Sequence, residues 1–441
     1  MIDAPSPALR FQAASVRFRI LGLLTVLSFV NYLLRNNLSV AQPSIQNEFH
    51  FTNAEFGWIL FGFNIAYTAF QIPGGLFGVW LGPRRSLTII AIAWGVLTVL
   101  TGLAPGFALS SASGALWALA IVRLLMGIAN APMFPIVAAT FANWFPVANW
   151  AFPNAVTNAG ITFAQAALGP VVTTLIVYFD WRASFYILAP VGFAAGAWWW
   201  WYSRDTPREH RFVTAAELRL IEAGRKPRDP SAASVGATFK VMVERDVLLL
   251  AASYFCMNVV FYMFAQWLFA YLVEERGFAV LTSGWLYALP FATGAVMAVV
   301  GGAVCDTLCR RVGPRWGCRL PGAFGMIMVA VLLLAGVRAA NPYTAVALLS
   351  LCFAFTQFAD SSYWQATTFV AGPRTAAACG VLNTGGNLPG LLAPLVGYVI
   401  DHFGWLPAFV SGTVFAFIGA ALWLFVRVVP QSHVQPHGVA A

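Results

Sequence analysis

The sequence predicts an all-α membrane protein: twelve transmembrane helices arranged as two pseudo-symmetric six-helix bundles. Three observations lead there. The chain is too apolar for water, its apolar runs come in membrane-spanning lengths, and its second half repeats marks of its first.

Sixty per cent of the 441 residues are apolar and only 9% are charged, with a mean hydropathy of +0.74. Soluble domains carry about 45–50% apolar and about 25% charged residues. So few polar side chains cannot cover a water-facing surface, so most of the chain is solvated by lipid. The formal charge of +9 raises nucleic acid as a partner. An embedded protein has another use for basic residues, and no nucleic acid is expected. Arg10, Arg17 and Arg19 precede an apolar run with no small-residue cleavage site, so no cleavable signal peptide is expected. The six cysteines, at 256, 305, 309, 318, 352 and 379, fall in helices or cytoplasmic loops, where disulfides are not expected.

A spanning helix needs about 20 mostly apolar residues. In chain order the candidates are 18–42, 55–80, 86–105, 114–141, 151–178, 182–203, 246–273, 281–304, 318–338, 342–370, 375–400 and 405–428. The one long hydrophilic stretch, 204–245, divides an N-terminal bundle (1–203) from a C-terminal bundle with a short tail (246–441).

Lys and Arg orient the spans. With both termini in the cytoplasm, twenty of the 25 basic residues lie on that side, nine of them in 204–245. Arg182, Arg276 and Arg338 lie outside, while Arg35 and Arg123 lie within helices. Trp198–Trp201 close span 6 at the inner interface as an aromatic belt would. The expected location is a bacterial inner (plasma) membrane, with the lipid bilayer as surroundings and the chain acting as a monomer.

The halves repeat. Pro170, Trp181 and Phe185 recur as Pro394, Trp405 and Phe409, and Gly82-Pro83-Arg84 recurs as Gly313-Pro314-Arg315. The offsets, 224 and 231, are near half the chain. Parallel six-helix repeats with a substrate site at their interface are a transporter architecture.

Intramembrane polar residues usually face a cavity or another helix. Span 1 carries Asn31, Tyr32, Arg35, Asn36 and Ser39; span 2 Asn64, Tyr67 and Gln71; span 5 Asn154, Asn158, Thr162 and Gln165. Span 7 carries Asn258, Tyr262 and Gln266; span 10 Gln357, Asp360 and Trp364; span 11 Asn383 and Asn387. Each set falls on one helical face. Any single amide can be interhelical glue, worth only about 0.6 kcal/mol; six converging stripes describe a polar cavity between the halves. Spans 3, 6, 9 and 12 have no such stripe and are expected to form a lipid-facing ring. Arg35, a permanent cation expected about 10 Å from the outer end of span 1, is either a snorkelling or paired residue or an anion receptor that grips carboxylate bidentately.

The sequence resembles the anion:cation symporter branch of the major facilitator superfamily over nearly its whole length. The resemblance rests on residues 32–41 (YLLRNNLSVA), Arg123–Gly127, Pro132–Pro135, Asn143–Pro146, Trp181–Phe185 and Asp205–His210. It implies the major facilitator fold and transport of sugar acids or other organic anions without a cofactor or metal. It further implies that Tyr32, Arg35, Tyr67, Gln165, Gln266, Trp364, Asn383 and Asn387 contact substrate. The superfamily's cytoplasmic gating loop is represented in the second half by Gly302, Asp306, Arg310, Arg311 and Arg315. In the first half Gly75, Arg84 and Arg85 remain, but Val79 and Trp80 replace the acidic and basic members.

A second departure concerns coupling. Proton-coupled members carry Asp before the span 1 Arg and Glu in span 4, where this chain has Leu34 and Asn130. All sixteen Asp and Glu fall in loops or at helix ends except Asp360, and all five His fall outside the spans. Arg123, Asn130 and Asp360 are therefore the positions that bear on coupling. Either transport is uniport or exchange, or a co-transported proton uses Asp360. A third reading, that Asp360 only bonds locally near span 10, stays open. No Cys-His or paired-carboxylate set for an enzyme lies within the spans. A multidrug proton antiporter needs first-half membrane carboxylates, and a transporter-like sensor carries longer extra segments than 204–245; both are alternatives of lower weight.

Overall fold

The structure, a computed structural model, describes residues 15–107, 111–146, 151–222 and 241–428. Arg10, four of the nine basic residues of the central loop (Arg225, Lys226, Arg228 and Lys240), and His433 and His437 of the tail lie outside the described residues. What is described is helical throughout its elements, in twelve spans.

Eight described helices are long and apolar enough to cross a membrane by themselves. One of these, Val280–Arg338, is two spans: Gly313, at φ 83° and ψ 163°, divides it into spans 8 and 9. Spans 2, 6 and 11 complete the set. Span 2 runs as Asn53–Ala69 and Gln71–Leu81, interrupted at Phe70. Pro73 explains the break, since its ring would meet the Ala69 carbonyl and it has no N–H to give. Span 11 runs as Thr375–Asn387, a 3-10 turn at Leu388–Leu392 and Ala393–Phe403, with Pro389 and Pro394 at the joints. Span 6 is Trp181–Tyr202, whose tryptophan tetrad lowers its hydropathy.

The repeated motifs adopt repeated geometry. Gly82, at φ 78° and ψ 157°, links spans 2 and 3 as Gly313 links spans 8 and 9. Only glycine takes up this conformation without strain, and each is followed by a proline suited to the first helical position. Trp181 packs on Phe185 and Trp405 on Phe409, with ring centroids 6.0 and 6.3 Å apart.

Two expectations are corrected. Arg84, Arg85, Asp306, Arg310 and Arg311, expected in the loops after spans 2 and 8, lie on helices: Arg84 and Arg85 in the first turn of Pro83–Leu103, and Asp306, Arg310 and Arg311 within Val280–Arg338, while Gly75 and Gly302 stay within spans 2 and 8. One glycine suffices to reverse the chain, so the loops shrink to Gly82 and Gly313. Span 1 extends to Phe49, because Ser39–Phe49 continues the helix despite Pro43. Arg35 therefore lies 14 residues, or about 21 Å, from that end.

Spans 3, 6, 9 and 12 turn apolar side chains outward, among them Ile92, Trp201, Phe324 and Phe417. Span 12 departs from a purely outer role: Phe415, Ile418 and Leu422 border the central cavity. Remote carboxylates cap helix starts, supplying acceptors to N–H groups that have no helical partner. Glu217 of the helix Ala215–Glu222 accepts from Ser15 Oγ and from the Val16 and Arg17 N–H groups. Asp205 accepts from Arg84 N at 2.7 Å. His210 anchors the same region beside the Tyr202 carbonyl, and burial holds its ring below the ordinary histidine pKa.

The halves meet tightly at the end remote from the central loop. Gly57 of span 2 lies against the backbone of Ala393 and Pro394, and Gly397 of span 11 against that of Asn53. Gly169 of span 5 (Ala151–Tyr178) likewise abuts Gly284 of span 8. Each crossing relies on the missing side chain, as close helix packing in membranes commonly does.

Candidate functional site

A cavity of about 1720 Å³ lies between the two bundles. Its lining runs from Leu60, Gln165 and Gln266 near the closed end to Gly75, Met242 and Ala377 towards the end bearing Gly82 and Gly313. The closed crossings above seal the other end.

Arg35 is half-buried at the cavity wall. Its guanidinium carbon sits 4.6 Å from the Phe63 and Tyr67 ring centroids and 5.4 Å from that of Tyr32. Each ring face is worth about 0.5–2 kcal/mol to a cation, more as water is excluded. Among the described residues no carboxylate lies within salt-bridge distance of it. The aromatic cage holds the cation in place while leaving its charge uncompensated.

Arg123, of the helix Ala112–Asn130 in span 4, lies behind it. Its Nη1 donates to the Arg35 carbonyl at 3.0 Å, while Nε and Nη2 are buried with no hydrogen-bond partner among the described residues. Leu34 is buried away from the cavity, against span 6 at Gly192. Asn130 Oδ1 accepts from Asn31 Nδ2, tying span 4 to span 1. Both positions thus do structural work in this chain.

All eight expected substrate contacts border the cavity. They come from both bundles: Tyr32, Arg35, Tyr67 and Gln165 from the first, Gln266, Trp364, Asn383 and Asn387 from the second. Some amides are already engaged. Asn383 Nδ2 donates to Gln71 Oε1 at 3.0 Å across the bundles, and Asn387 Oδ1 accepts from Tyr262 Oη at 3.2 Å. Asn64 bonds the Gly390 carbonyl at 2.8 Å and is interhelical glue between spans 2 and 11. Gln165 borders the cavity, and its Oε1 is buried with no hydrogen-bond partner among the described residues. Asp360 lines the cavity and accepts from Tyr254 Oη at 2.9 Å; Trp364 packs edge-on against the same tyrosine, centroids 6.0 Å apart.

The gating-motif residues do not gather at the cavity, apart from Gly75. Arg84 is committed to its own bundle, donating to the Trp200 carbonyl at 2.8 Å from Nη2 and lying 4.2 Å over that ring. Arg85, Arg310 and Arg311 are exposed, Gly302 lies beside Ser361, and Asp306 accepts from Gln365 Nε2 at 2.6 Å. Val79 and Trp80 are 79% and 81% exposed.

Sequence reasoning missed Phe63, Tyr254, Asp401 and the meeting of Cys305, Cys309 and Cys318. Phe63 lies four residues before Tyr67, one helical turn, and that spacing signals a shared face. Cys305 and Cys309 have the same spacing.

Comparisons with known proteins agree with this architecture. The sequence model of the Major Facilitator Superfamily matches residues 24–394. Similar curated proteins include the probable sulfoacetate transporter SauU of Cupriavidus necator, 31% identical over 94% of this chain and 95% of the relative. The hexuronate transporter of Bacillus subtilis is 26% identical over 90% and 92%. The probable galactarate/D-glucarate transporter GarP of Escherichia coli K12 is 27% identical over 93% and 94%. Among solved structures, a bacterial homologue of the human lysosomal transporter Spinster, inward-facing and unoccupied, superposes with a TM-score of 0.75 at 16% identity, covering 93% of this chain and 97% of that one; the likeness bears on the fold alone. A family match across most of the chain, on two six-helix bundles with a cavity between them, makes this protein a member of the Major Facilitator Superfamily, an integral membrane transporter rather than an enzyme.

Proposed function

We propose that the chain moves a small organic anion across a bacterial inner membrane by alternating access, with Arg35 as the anion receptor. The carrying observation is the guanidinium of Arg35, caged by three aromatic rings, open to the cavity and without a carboxylate partner among the described residues. A carboxylate or sulfonate satisfies such a group with two parallel hydrogen bonds. Gln165, Gln266, Asn383 and Asn387 supply amide donors and acceptors for hydroxyl groups, and Trp364 supplies an apolar wall. The substrates named for the relatives, sulfoacetate, hexuronate and galactarate or D-glucarate, are all small organic anions and support this reading.

On the positive-inside rule the termini and the central loop lie in the cytoplasm. The cavity then opens inward, and the bundles 1–203 and 246–441 are the bodies that rock about the site. For coupling, Leu34 and Asn130 hold no proton, which favours uniport or exchange. Asp360, at the cavity and bonded to Tyr254, is the carboxylate through which a proton would couple.

The test is a thermal-shift and calorimetric screen of the purified protein against hydroxy-carboxylates, sulfonates and their neutral amide isosteres, since a ligand of the folded state raises apparent stability. Anions are expected to stabilise the wild type and not Arg35→Ala. Equal stabilisation by the neutral isosteres would sink the anion assignment.

A further inference from the structure

We propose that the turn between spans 8 and 9 binds a thiophilic divalent cation, zinc by preference, on Cys305, Cys309 and Cys318. The three sulfurs all lie within 4.8 Å of one another. Cys309 and Cys318 are 3.6 Å apart and Cys305 and Cys318 4.0 Å apart, sulfur to sulfur. Zinc–sulfur bonds of about 2.3 Å at tetrahedral angles set thiolate sulfurs about 3.8 Å apart. The cation therefore fits between the sulfurs with little movement of the backbone.

The fold builds this convergence. Cys305 and Cys309 stand one turn apart on span 8, so their side chains share a face. Gly313 reverses the chain, and Gly317 lets span 9 lie directly on span 8: a side chain at Gly317 would meet the Cys309 backbone at 2.4 Å. Cys318, the next residue, is thereby delivered to the other two. An oxygen ligand is also at hand. Gln365 Oε1 of span 10 (Pro342–Ala371) lies 2.6 Å from Cys305 Sγ and 3.7 Å from Cys309 Sγ. Its amide nitrogen donates to Asp306 at 2.6 Å, which fixes the oxygen towards the sulfurs, as outer-shell carboxylates do around metal centres. Ser362 Oγ adds a hydrogen bond to Cys305 Sγ at 3.6 Å.

Three buried cysteines can also act as small apolar filler. Filler does not aim its sulfurs at one point, nor bring an amide oxygen and a hydroxyl to them. The cation displaces the thiol protons as it binds; Arg310, Arg311 and Arg315 stand exposed around the same turn. Cys309 is only half-buried, which gives the cation a way in. Every ligand belongs to the second bundle. The bound cation would stiffen the turn that carries Asp306 without opposing movement between bundles, so this site does not depend on the identity of the transported anion.

The test uses full-length protein purified in detergent under reductant. One zinc per chain is expected by mass spectrometry of the metal. Added cadmium should give the ultraviolet thiolate-to-cadmium charge-transfer band. Cys305→Ser, Cys309→Ser and Cys318→Ser should each weaken binding more than about 100-fold, and Gln365→Ala about tenfold. Cys256→Ser, Cys352→Ser and Cys379→Ser should leave it unchanged. Gly317→Val keeps every thiol but separates the two helices, and it should also lose the band. If a serine variant fails to fold, the wild-type band and stoichiometry still decide. No band in the wild type, a band that persists in folded Cys318→Ser, or a Cys309–Cys318 disulfide recovered from protein held under reductant would each overturn the proposal.

Discussion

The carboxylate of Asp401, on the last turn of span 11, caps Asn53 at the start of span 2: it accepts from Asn53 N at 2.9 Å and Asn53 Nδ2 at 2.9 Å, and also from Ala54 N at 2.8 Å. It is a helix cap supplied across the bundle interface. Asn53 also accepts from Gln46 Nε2 at 3.2 Å, which links the latch to span 1. Because the two residues must part when this end opens, the cap stabilises the closed end alone. Exposed charge–helix interactions contribute about 0.3–1 kcal/mol. Asp401→Ala should therefore shift the population towards opening at this end by roughly two- to fivefold. Spin labels at Trp58 and Phe403 should report the longer distances; unchanged distributions would show that the glycine crossings alone hold the end shut.

Arg35→Lys keeps the charge but loses the planar fork. Substrate binding should weaken at least about tenfold, which is about 1.4 kcal/mol. Arg35→Ala should abolish uptake while the protein still reaches the membrane, because the rings of Phe63 and Tyr67 can repack on one another. Normal transport by Arg35→Ala would remove the anion receptor from the account.

Coupling is tested with Asp360→Asn in proteoliposomes, with and without an imposed proton gradient. Wild-type transport should depend little on the gradient, given Leu34 and Asn130. If it does depend on it, Asp360→Asn should abolish accumulation and leave exchange of labelled for unlabelled substrate intact, since exchange needs no net proton release. Accumulation that survives in Asp360→Asn would mean the proton travels on another group or on the substrate.

Val79 and Trp80 leave the first-half motif without its acidic and basic members, and both side chains stand exposed at the open end. Val79→Asp with Trp80→Arg should restore a charge-based latch and shift the protein towards closure at that end. The measurement is the distance between labels on the ends of spans 2 and 11 there. No difference from wild type would mean that Gly82, Arg84 and Asp205 already determine the local geometry.

Cysteines at Tyr67, Gln165, Gln266 and Asn387, in a background lacking the native six, should react with a small polar thiol reagent, more slowly when substrate is bound. Cysteines at Ile92 and Phe417, on lipid-facing surfaces, should stay unlabelled. Similar rates at both sets would contradict the cavity as drawn.

The sequence by itself determined the spans, the repeat and the cavity stripes, because these are written at short range. Bilayer thickness translates into run length, helical geometry into the spacing of Tyr67, Gln71 and their kind, and repetition into matched Gly-Pro-Arg turns. It also located Arg35 and Asp360 as rare charges in apolar runs. It misjudged helix ends, stopping span 8 at 304 and span 1 at 42, since apolarity fades at an interface before the helix stops. Only the tertiary structure decided what those residues meet. The cage around Arg35 joins spans 1 and 2, Asp401 reaches Asn53 from 348 residues away, and Cys318 reaches Cys309 because Gly317 has no side chain. Such contacts depend on how helices cross, and helix crossings are settled by packing among many distant residues, which no local pattern records.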